Sequence, residues 1–201
     1  MRRREILTAG AVATTMAAAA PAAAAPGRGG GPKKPPGNGQ TKPPGLAKKD
    51  NLAFAAGGTL KIGCAVAGGG HHTDQDYPDP FTSDEPYREV LAAEFTSLSA
   101  ENQMKWDYLR PDRETFDFED ADEIMDFAQQ HGQVVRGHTL LWHAQNPTWL
   151  EEGDFSADEL RDLLKEHIDT VVGRYRGRIQ QWDVVNEIFS DEGELRLNDN
   201  I

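Results

Sequence analysis

The sequence has 201 residues, of which 33 are acidic and 21 are Lys or Arg, so its formal net charge is −12 at pH 7. The charge is uneven: residues 50–201 hold 12 basic and 32 acidic side chains, a net charge of −20. A surface of that sign repels phosphate backbones, which argues against nucleic acid as a partner and favours a neutral ligand.

The first 50 residues differ from the rest in composition. Residues 1–25 combine three arginines with an uncharged, small-residue run and several A-x-A sites, which predicts a secretory signal peptide rather than a membrane span. Arg3 and Arg4 resemble the start of a twin-arginine export signal. The alternative is a disordered Ala-rich tail on a cytosolic protein. Residues 26–50, rich in Pro, Gly and Lys, predict a flexible linker, so folding is expected over 51–201.

Strand and helix patterns alternate along the folded part. Short runs rich in apolar residues predict strands at 59–66, 95–102, 134–143 and 178–187. Helical periodicity predicts helices at 86–95, at 120–132 and between Ser156 and Gly177. Capping boxes are expected at Asp120 with Glu123 and at Ser156 with Glu159. The alternation predicts an α/β fold with a parallel sheet built from right-handed βαβ units.

Polar residues follow three of the predicted strands. Since chemistry in parallel α/β folds lies beyond the carboxyl ends of the strands, these residues are candidates for one site. They are Glu101, Asn102 and Lys105 after the second strand, His138, Trp142, His143, Gln145 and Trp149 in and after the third, and Asn186 and Glu187 at the end of the fourth. Carboxylate, amide and ammonium groups suit sugar hydroxyls, and tryptophans provide platforms for sugar rings.

Glu187 is the candidate acid. A carboxyl in a partly apolar cleft has a raised pKa and stays protonated near neutral pH, as a glycosidase acid must. Glycosidases pair such a group with a second carboxylate.

Three other kinds of site are disfavoured. His138 and His143 are five residues apart, which places them on opposite faces of a strand and argues against a metal pair. "AGGG" lacks the G-x-G-x-x-G spacing of a phosphate loop. Cys64 is the only cysteine and is expected to be a buried, inert thiol. No cofactor is expected.

Four motifs together resemble one enzyme family. "AENQMKW", "FDFEDADEIMDFA", "VVRGHTLLWHAQNPTWL" and "QWDVVNE" occur in the order and spacing of glycoside hydrolase family 10, the retaining endo-1,4-β-xylanases. The resemblance covers about residues 60–201 and implies a (β/α)8 TIM barrel, of which about the first four β/α units are present. It implies hydrolysis of internal β-1,4-xylosidic bonds in xylan, with xylan or xylo-oligosaccharides as partners and neither nucleic acid nor membrane.

The resemblance also implies roles for individual residues. Glu187 would be the general acid/base, and Asn186 would bind the 2-hydroxyl of the sugar being cleaved. The xylose units on the non-reducing side would be bound by Glu101, Asn102 and Lys105.

Four further residues, from the third motif, would complete the site. His138 and Trp142 would line the cleavage subsite, while His143 and Gln145 would orient and support these groups. The nucleophile of the family is a glutamate on the seventh strand, which is expected beyond Ile201.

A chain of 201 residues on its own is therefore expected to be inactive. It is also expected to expose a sheet edge at 179–186 and an apolar inner face. The alternatives are a non-catalytic or inactive xylan-binding fragment and a β-1,4-glucanase.

Overall fold

A computed structural model describes residues 50–69 and 78–196 of the chain. The helices are α1 (Leu52–Ala55), α2 (Pro80–Ser83), α3 (Glu85–Glu94), α4 (Trp106–Leu109), α5 (Glu119–Gln130), α6 (Thr148–Glu151) and α7 (Ala157–Arg174). The strands are β1 (Gly63–Val66), β2 (Ser97–Ala100), β3 (Val134–Gly137) and β4 (Ile179–Trp182). The predicted signal peptide and linker lie outside the described residues, apart from Asp50.

The four strands form one sheet in the order β1-β2-β3-β4, and every neighbouring pair is parallel. Helices α3, α5 and α7 connect successive strands. The predicted α/β fold with a parallel sheet is therefore confirmed. Among the described residues, no helix is long and apolar enough to cross a membrane.

The longer helices begin where side-chain acceptors satisfy their first N–H groups. Ser156 and Glu159 form the predicted capping box of α7. The box predicted at Asp120 and Glu123 is wrong, because α5 begins at Glu119, before it. The backbone N–H of Glu119 already donates to the Asp117 carboxylate (3.0 Å), so the helix starts earlier.

The main hydrophobic core lies between the sheet and these helices. Its buried strand residues are Val66, Leu98, Ala100, Val135 and Ile179. The helices contribute the apolar face of α5, namely Ala121, Ile124, Met125, Phe127 and Ala128, together with Leu91 and Ala92 of α3 and Val171 of α7. Burying a Val, Leu, Ile, Phe or Met side chain contributes roughly 1.5–3 kcal/mol, so this one layer holds the helices against the sheet. Cys64, which was expected to be buried, is only half-buried against the same core.

The opposite face of the sheet mixes small, apolar and polar residues, so the predicted apolar inner face is only partly present. Side chains alternate along a strand, and the residues facing away from the helices are Gly63, Ala65, Ser97, Ser99, Val134, Arg136 and Gln181. They are half-buried or exposed. Within the described residues β4 forms an edge of the sheet, as expected.

All four strands are shorter than predicted, and the difference is largest at the ends of β3 and β4. β3 ends at Gly137 rather than at residue 143, and β4 ends at Trp182 rather than at residue 187. The two following segments leave the sheet but stay hydrogen-bonded to each other, since Leu140 donates to the Asp183 carbonyl (3.0 Å) and Asn186 donates to the Leu141 carbonyl (2.9 Å). These bonds hold the two loops side by side at the carboxyl end of the sheet.

Candidate active site

The predicted site residues lie in three segments that follow β2, β3 and β4. In a parallel sheet the carboxyl ends of neighbouring strands share one edge, so residues 101–105, 138–145 and 183–187 can meet. Two of these residues, Gln145 (φ 51°) and Glu187 (φ 53°), have positive φ angles although neither is glycine. Backbone of this kind costs of order 1–3 kcal/mol and is concentrated at functional sites.

The first group of the site is centred on the Lys105 ammonium. Lys105 Nζ donates to Asn102 Oδ1 (3.1 Å) and to Gln145 Oε1, and Gln145 Nε2 donates to the same Asn102 oxygen (3.1 Å). Asn102 and Lys105 are buried side chains. Burial lowers the pKa of Lys105, while the negative charges of Asp107 and Glu101 act in the opposite direction. Glu101 itself is exposed at the start of the turn.

The second group is centred on the Glu187 carboxylate. Trp142 Nε1 donates to Glu187 Oε2 (2.8 Å), and His143 Nε2 lies 3.0 Å from the same oxygen. Trp142 also joins the two groups, since Lys105 Nζ lies 4.4 Å from the centroid of a Trp142 ring. One continuous cluster therefore joins six predicted residues from the three loops, namely Asn102, Lys105, Trp142, His143, Gln145 and Glu187.

The prediction that Glu187 has a raised pKa is wrong for these surroundings. Hydrogen bonds from Trp142 and His143 stabilise the carboxylate and hold the pKa of Glu187 below its ordinary value. Its side chain is 51% exposed, so desolvation is too weak to reverse this effect.

A third group connects β3 and β4. His138 Nδ1 lies 2.8 Å from Asp183 Oδ2, and Arg136 Nε donates to Asp183 Oδ1 (3.0 Å). Burial alone would raise the pKa of Asp183, but the hydrogen bonds from Arg136 and His138 outweigh it, and the pKa is lowered. Because Asp183 is an acceptor, it selects the His138 tautomer or cation that carries a proton on Nδ1.

Sequence reasoning missed Arg136 and Asp183 as members of the site. Their only sequence signal was a basic and an acidic residue at the ends of adjacent predicted strands, and the pairing depends on the register between β3 and β4.

For two predicted residues, Asn186 and Trp149, the described part of the structure shows no side-chain bond to these three groups. Asn186 is half-buried beside Glu187 and is held through its backbone, which donates to Leu141. Trp149, expected as a platform for sugar rings, donates through Nε1 to the Arg110 carbonyl (3.0 Å) and packs against Phe155. It belongs to a second apolar cluster behind the site.

His138 and His143 are each used separately, one by Asp183 and one by Glu187. Among the described residues there is no group of three or more His, Cys, Asp or Glu side chains that could hold a metal ion. The arrangement offers a carboxyl group next to amide, ammonium and indole donors, which suits proton transfer to a bound polyol.

Comparison with known proteins identifies the family. The sequence model described as glycosyl hydrolase family 10 matches residues 51–200. Endo-1,4-beta-xylanase B of Thermotoga neapolitana is 46% identical over 112 residues, which are 56% of this chain and 32% of that protein. Beta-1,4-xylanase of Dictyoglomus thermophilum is 51% identical over 105 residues, 52% of this chain and 29% of that protein. The chain thus spans about a third of the length of these relatives.

Solved structures agree with this result. Native xylanase 10B of Thermotoga maritima superposes with a TM-score of 0.56 at 45% identity, over 57% of this chain and 36% of that one. A family 10 glycoside hydrolase of Paenibacillus barcinonensis gives a TM-score of 0.64 at 34% identity, over 75% of this chain and 42% of that one. The four parallel β/α units correspond to the first part of a TIM barrel. With 150 of its residues matched by the family model, the chain belongs to glycosyl hydrolase family 10.

Proposed function

We propose that the protein is an endo-1,4-β-xylanase that hydrolyses internal bonds of xylan with retention of configuration. The observation that carries this proposal is the Glu187 carboxyl, held by Trp142 and His143 next to the cluster of Asn102, Lys105 and Gln145. An acid/base group and a set of sugar-binding donors therefore share one end of the sheet. The names of the relatives support xylan as the substrate, and one similar structure, xylanase 10B of Thermotoga petrophila, is a complex with xylobiose.

Each group has a distinct role in this proposal. Lys105 and Asn102, with the exposed carboxylate of Glu101, bind hydroxyls of xylose units on the non-reducing side. Gln145 holds Lys105 and Asn102 in place through its two side-chain bonds. Trp142 contributes an apolar ring next to the cleaved sugar, and its indole N–H keeps the Glu187 carboxyl in one orientation.

Two further residues complete the cleavage subsite. His138 lines the subsite. Its Nδ1 is bonded to Asp183, which fixes the ring, and its Nε2 lies on the other side of the ring. Asn186 binds the 2-hydroxyl, since its backbone is held next to Glu187 and its side chain is half-buried.

Glu187 acts twice in the reaction. It first gives its proton to the glycosidic oxygen as the C–O bond to the leaving sugar breaks, while a second carboxylate bonds to the anomeric carbon. It then takes a proton from water as water attacks that carbon and the bond to the second carboxylate breaks. We place this second carboxylate in the part of the barrel outside the four described units, with its carboxyl about 5–5.5 Å from that of Glu187.

The test is Glu187→Gln in the full-length protein. Activity on xylan should fall by about 10²–10⁴-fold, because the amide cannot donate the proton that the leaving oxygen needs. A dinitrophenyl xylobioside needs no such proton, so its first step should stay fast in the variant. Azide, which attacks without base assistance, should then accelerate turnover and yield a β-xylobiosyl azide. Unchanged activity on xylan, or equal losses on both substrates, would exclude this role for Glu187.

The preference for xylan is tested separately. Initial rates of reducing-sugar release from xylan and from carboxymethyl cellulose should differ strongly in favour of xylan. Comparable rates would mean that the protein also hydrolyses β-1,4-glucans.

We further propose that residues 1–25 are an export signal and that the protein is secreted. The support is the run of arginines followed by small, uncharged residues. Replacing both Arg3 and Arg4 by Lys should retain the protein in the cytosol if the twin-arginine route is used. Replacement of only one of them is a weaker change and serves as the graded control. Secretion that is unaffected by the double change would favour a general secretory signal.

A further inference from the structure

Gln103 lies between two residues of the sugar-binding turn but faces the interior of the protein. Its side chain is 1% exposed, whereas Glu101 in the same turn is exposed. Gln103 Nε2 donates to the Gly69 carbonyl (2.6 Å), and Gln103 Oε1 accepts from the backbone N–H of Asn102 (3.3 Å). One buried amide thus connects the segment after β1 to the turn after β2.

The segment after β1 is shaped to receive this amide. A Cβ atom on Gly68 would lie 2.9 Å from the Gln103 side-chain amide carbon, so only glycine leaves room for it. Gly69 has φ 84°, which glycine adopts without strain, and its carbonyl accepts a second bond from the Tyr108 hydroxyl (2.9 Å). The Gly69 carbonyl is therefore a fixed anchor with two side-chain donors.

The bonds continue from Gln103 into the site. Gln103 holds the backbone of Asn102, and the side chain of Asn102 accepts from both Lys105 and Gln145 at 3.1 Å. A chain of hydrogen bonds therefore runs from the loop after β1, through the turn after β2, to the loop after β3. The sugar-binding groups themselves are held at one end of this chain.

We propose that Gln103 is a positioning residue that sets the affinity of the turn at residues 101–105 for the non-reducing xylose units. This inference rests on the proposed function. Gln103 does not touch the substrate; it acts through Asn102 and Lys105. Loss of its amide leaves the Gly69 carbonyl and the Asn102 N–H without this partner in a buried place, so the turn relaxes and its bonds to sugar weaken.

Three variants of the full-length protein test the proposal. Gln103→Ala removes both hydrogen bonds, and Gln103→Glu keeps the shape but replaces the Nε2 donor by an oxygen. Gly68→Ala pushes the amide away without changing Gln103. A matched control is Gln133→Ala, because Gln133 is another buried glutamine whose Nε2 donates to two backbone carbonyls, those of Leu91 (2.7 Å) and Phe95 (2.9 Å), away from the site.

The readout is the benefit of a second xylose unit. It is the ratio of kcat/KM for an aryl xylobioside to that for an aryl xyloside, which occupies the cleavage subsite alone. Gln103→Ala should reduce this ratio about tenfold, the expected effect of a buried hydrogen bond, chiefly through KM. Gln103→Glu should act in the same direction. The effects of Gly68→Ala and Gln103→Ala on this ratio should not be additive in the double variant, since both changes remove the same contact.

The control separates positioning from stability. Gln133→Ala should lower Tm but leave the ratio unchanged. An unchanged ratio in Gln103→Ala, or an equal reduction in Gln133→Ala, would overturn the proposal.

A second measurement does not depend on activity. Amide hydrogen exchange at residues 101–105 should become faster in Gln103→Ala and not in Gln133→Ala. Unchanged exchange in Gln103→Ala would also overturn the proposal. If the wild-type protein cleaved no xyloside while exchange behaved as expected, the proposed function would fail and the positioning of the turn would stand.

Discussion

His167 gives the sharpest prediction about stability. Its side chain on α7 is fully buried, its ring stacks on Trp106 with centroids 4.1 Å apart, and neither ring nitrogen has a hydrogen-bond partner among the described residues. Burial, together with the positive charge of Arg110, lowers the pKa of His167 from 6.5 to about 3. The folded protein therefore keeps this imidazole neutral down to that pH.

The sign and size of the pH dependence follow from this pKa. Between pH 6.5 and 3 the unfolded chain binds a proton at His167 and the folded chain does not, so the free energy of unfolding falls as the pH falls. At about 1.4 kcal/mol per pKa unit, the wild-type protein loses on the order of 3 kcal/mol from this residue between pH 7 and 4.

The perturbation is His167→Phe in the full-length protein. Phenylalanine keeps the ring stack on Trp106 and cannot titrate, so at pH 7 the variant should be within about 1.5 kcal/mol of the wild type. Denaturant unfolding, followed by tryptophan fluorescence at several pH values, should show the variant becoming the more stable of the two as pH falls. A difference in the free energy of unfolding that stays constant from pH 7 to 4 would show that the pKa of His167 is not lowered in the folded protein.

Two other changes should have effects of known sign. Burial raises the pKa of Asp107 from 3.8 to about 7, so the folded protein holds this proton more tightly than the unfolded chain and stability falls as pH rises through that range. The free energy of unfolding of Asp107→Asn, relative to that of the wild type, should therefore rise by on the order of 2–3 kcal/mol as the pH goes from 5 to 8. This trend is opposite in sign to the one at His167. Gly137→Ala should lower Tm, because a Cβ atom there would lie 2.2 Å from the Trp182 ring, and such overpacking costs about 1–3 kcal/mol; a Tm equal to wild type would show that the ring can move away.

The elements that could be predicted from the sequence are those with a local signal. The apolar face of α5 and the capping box at Ser156 involve residues close together in sequence, and both are present. The ends of β3 and β4 carry no such signal, because apolar residues continue past Gly137 and Trp182 while the backbone already leaves the sheet.

The site was predictable as a set of residues but not as a set of contacts. Polar residues after successive parallel strands indicated where the site lies, and the family resemblance supplied the proposed roles. The bonds of Asp183 to Arg136 and His138 depend on how β4 aligns with β3, across separations of 47 and 45 residues. His167 was missed because a histidine next to the predicted apolar stripe of α7 gave no sign that Trp106 would cover it.

The protonation of Glu187 poses the last question. In the proposed mechanism Glu187 must carry a proton before reaction, yet the donors Trp142 and His143 hold its pKa below the ordinary value. Both bonds fall on Oε2, so a proton can sit on Oε1 without breaking either of them. In that mechanism the negative charge of the second carboxylate, placed about 5–5.5 Å away, would raise the pKa of Glu187, and this charge would disappear once the carboxylate bonds to the sugar.

In the proposed mechanism the charge of the nucleophile is therefore the switch that turns Glu187 from acid to base. Changing the nucleophilic glutamate to glutamine in the full-length protein should therefore lower the pKa of Glu187 toward the low value set by Trp142 and His143. Titration of the 13C-labelled Glu187 carboxyl by NMR measures this directly, and Glu187→Gln identifies its resonance. A pKa that is the same with and without the nucleophile's charge would mean that desolvation by the rest of the barrel, rather than the second carboxylate, keeps the acid protonated.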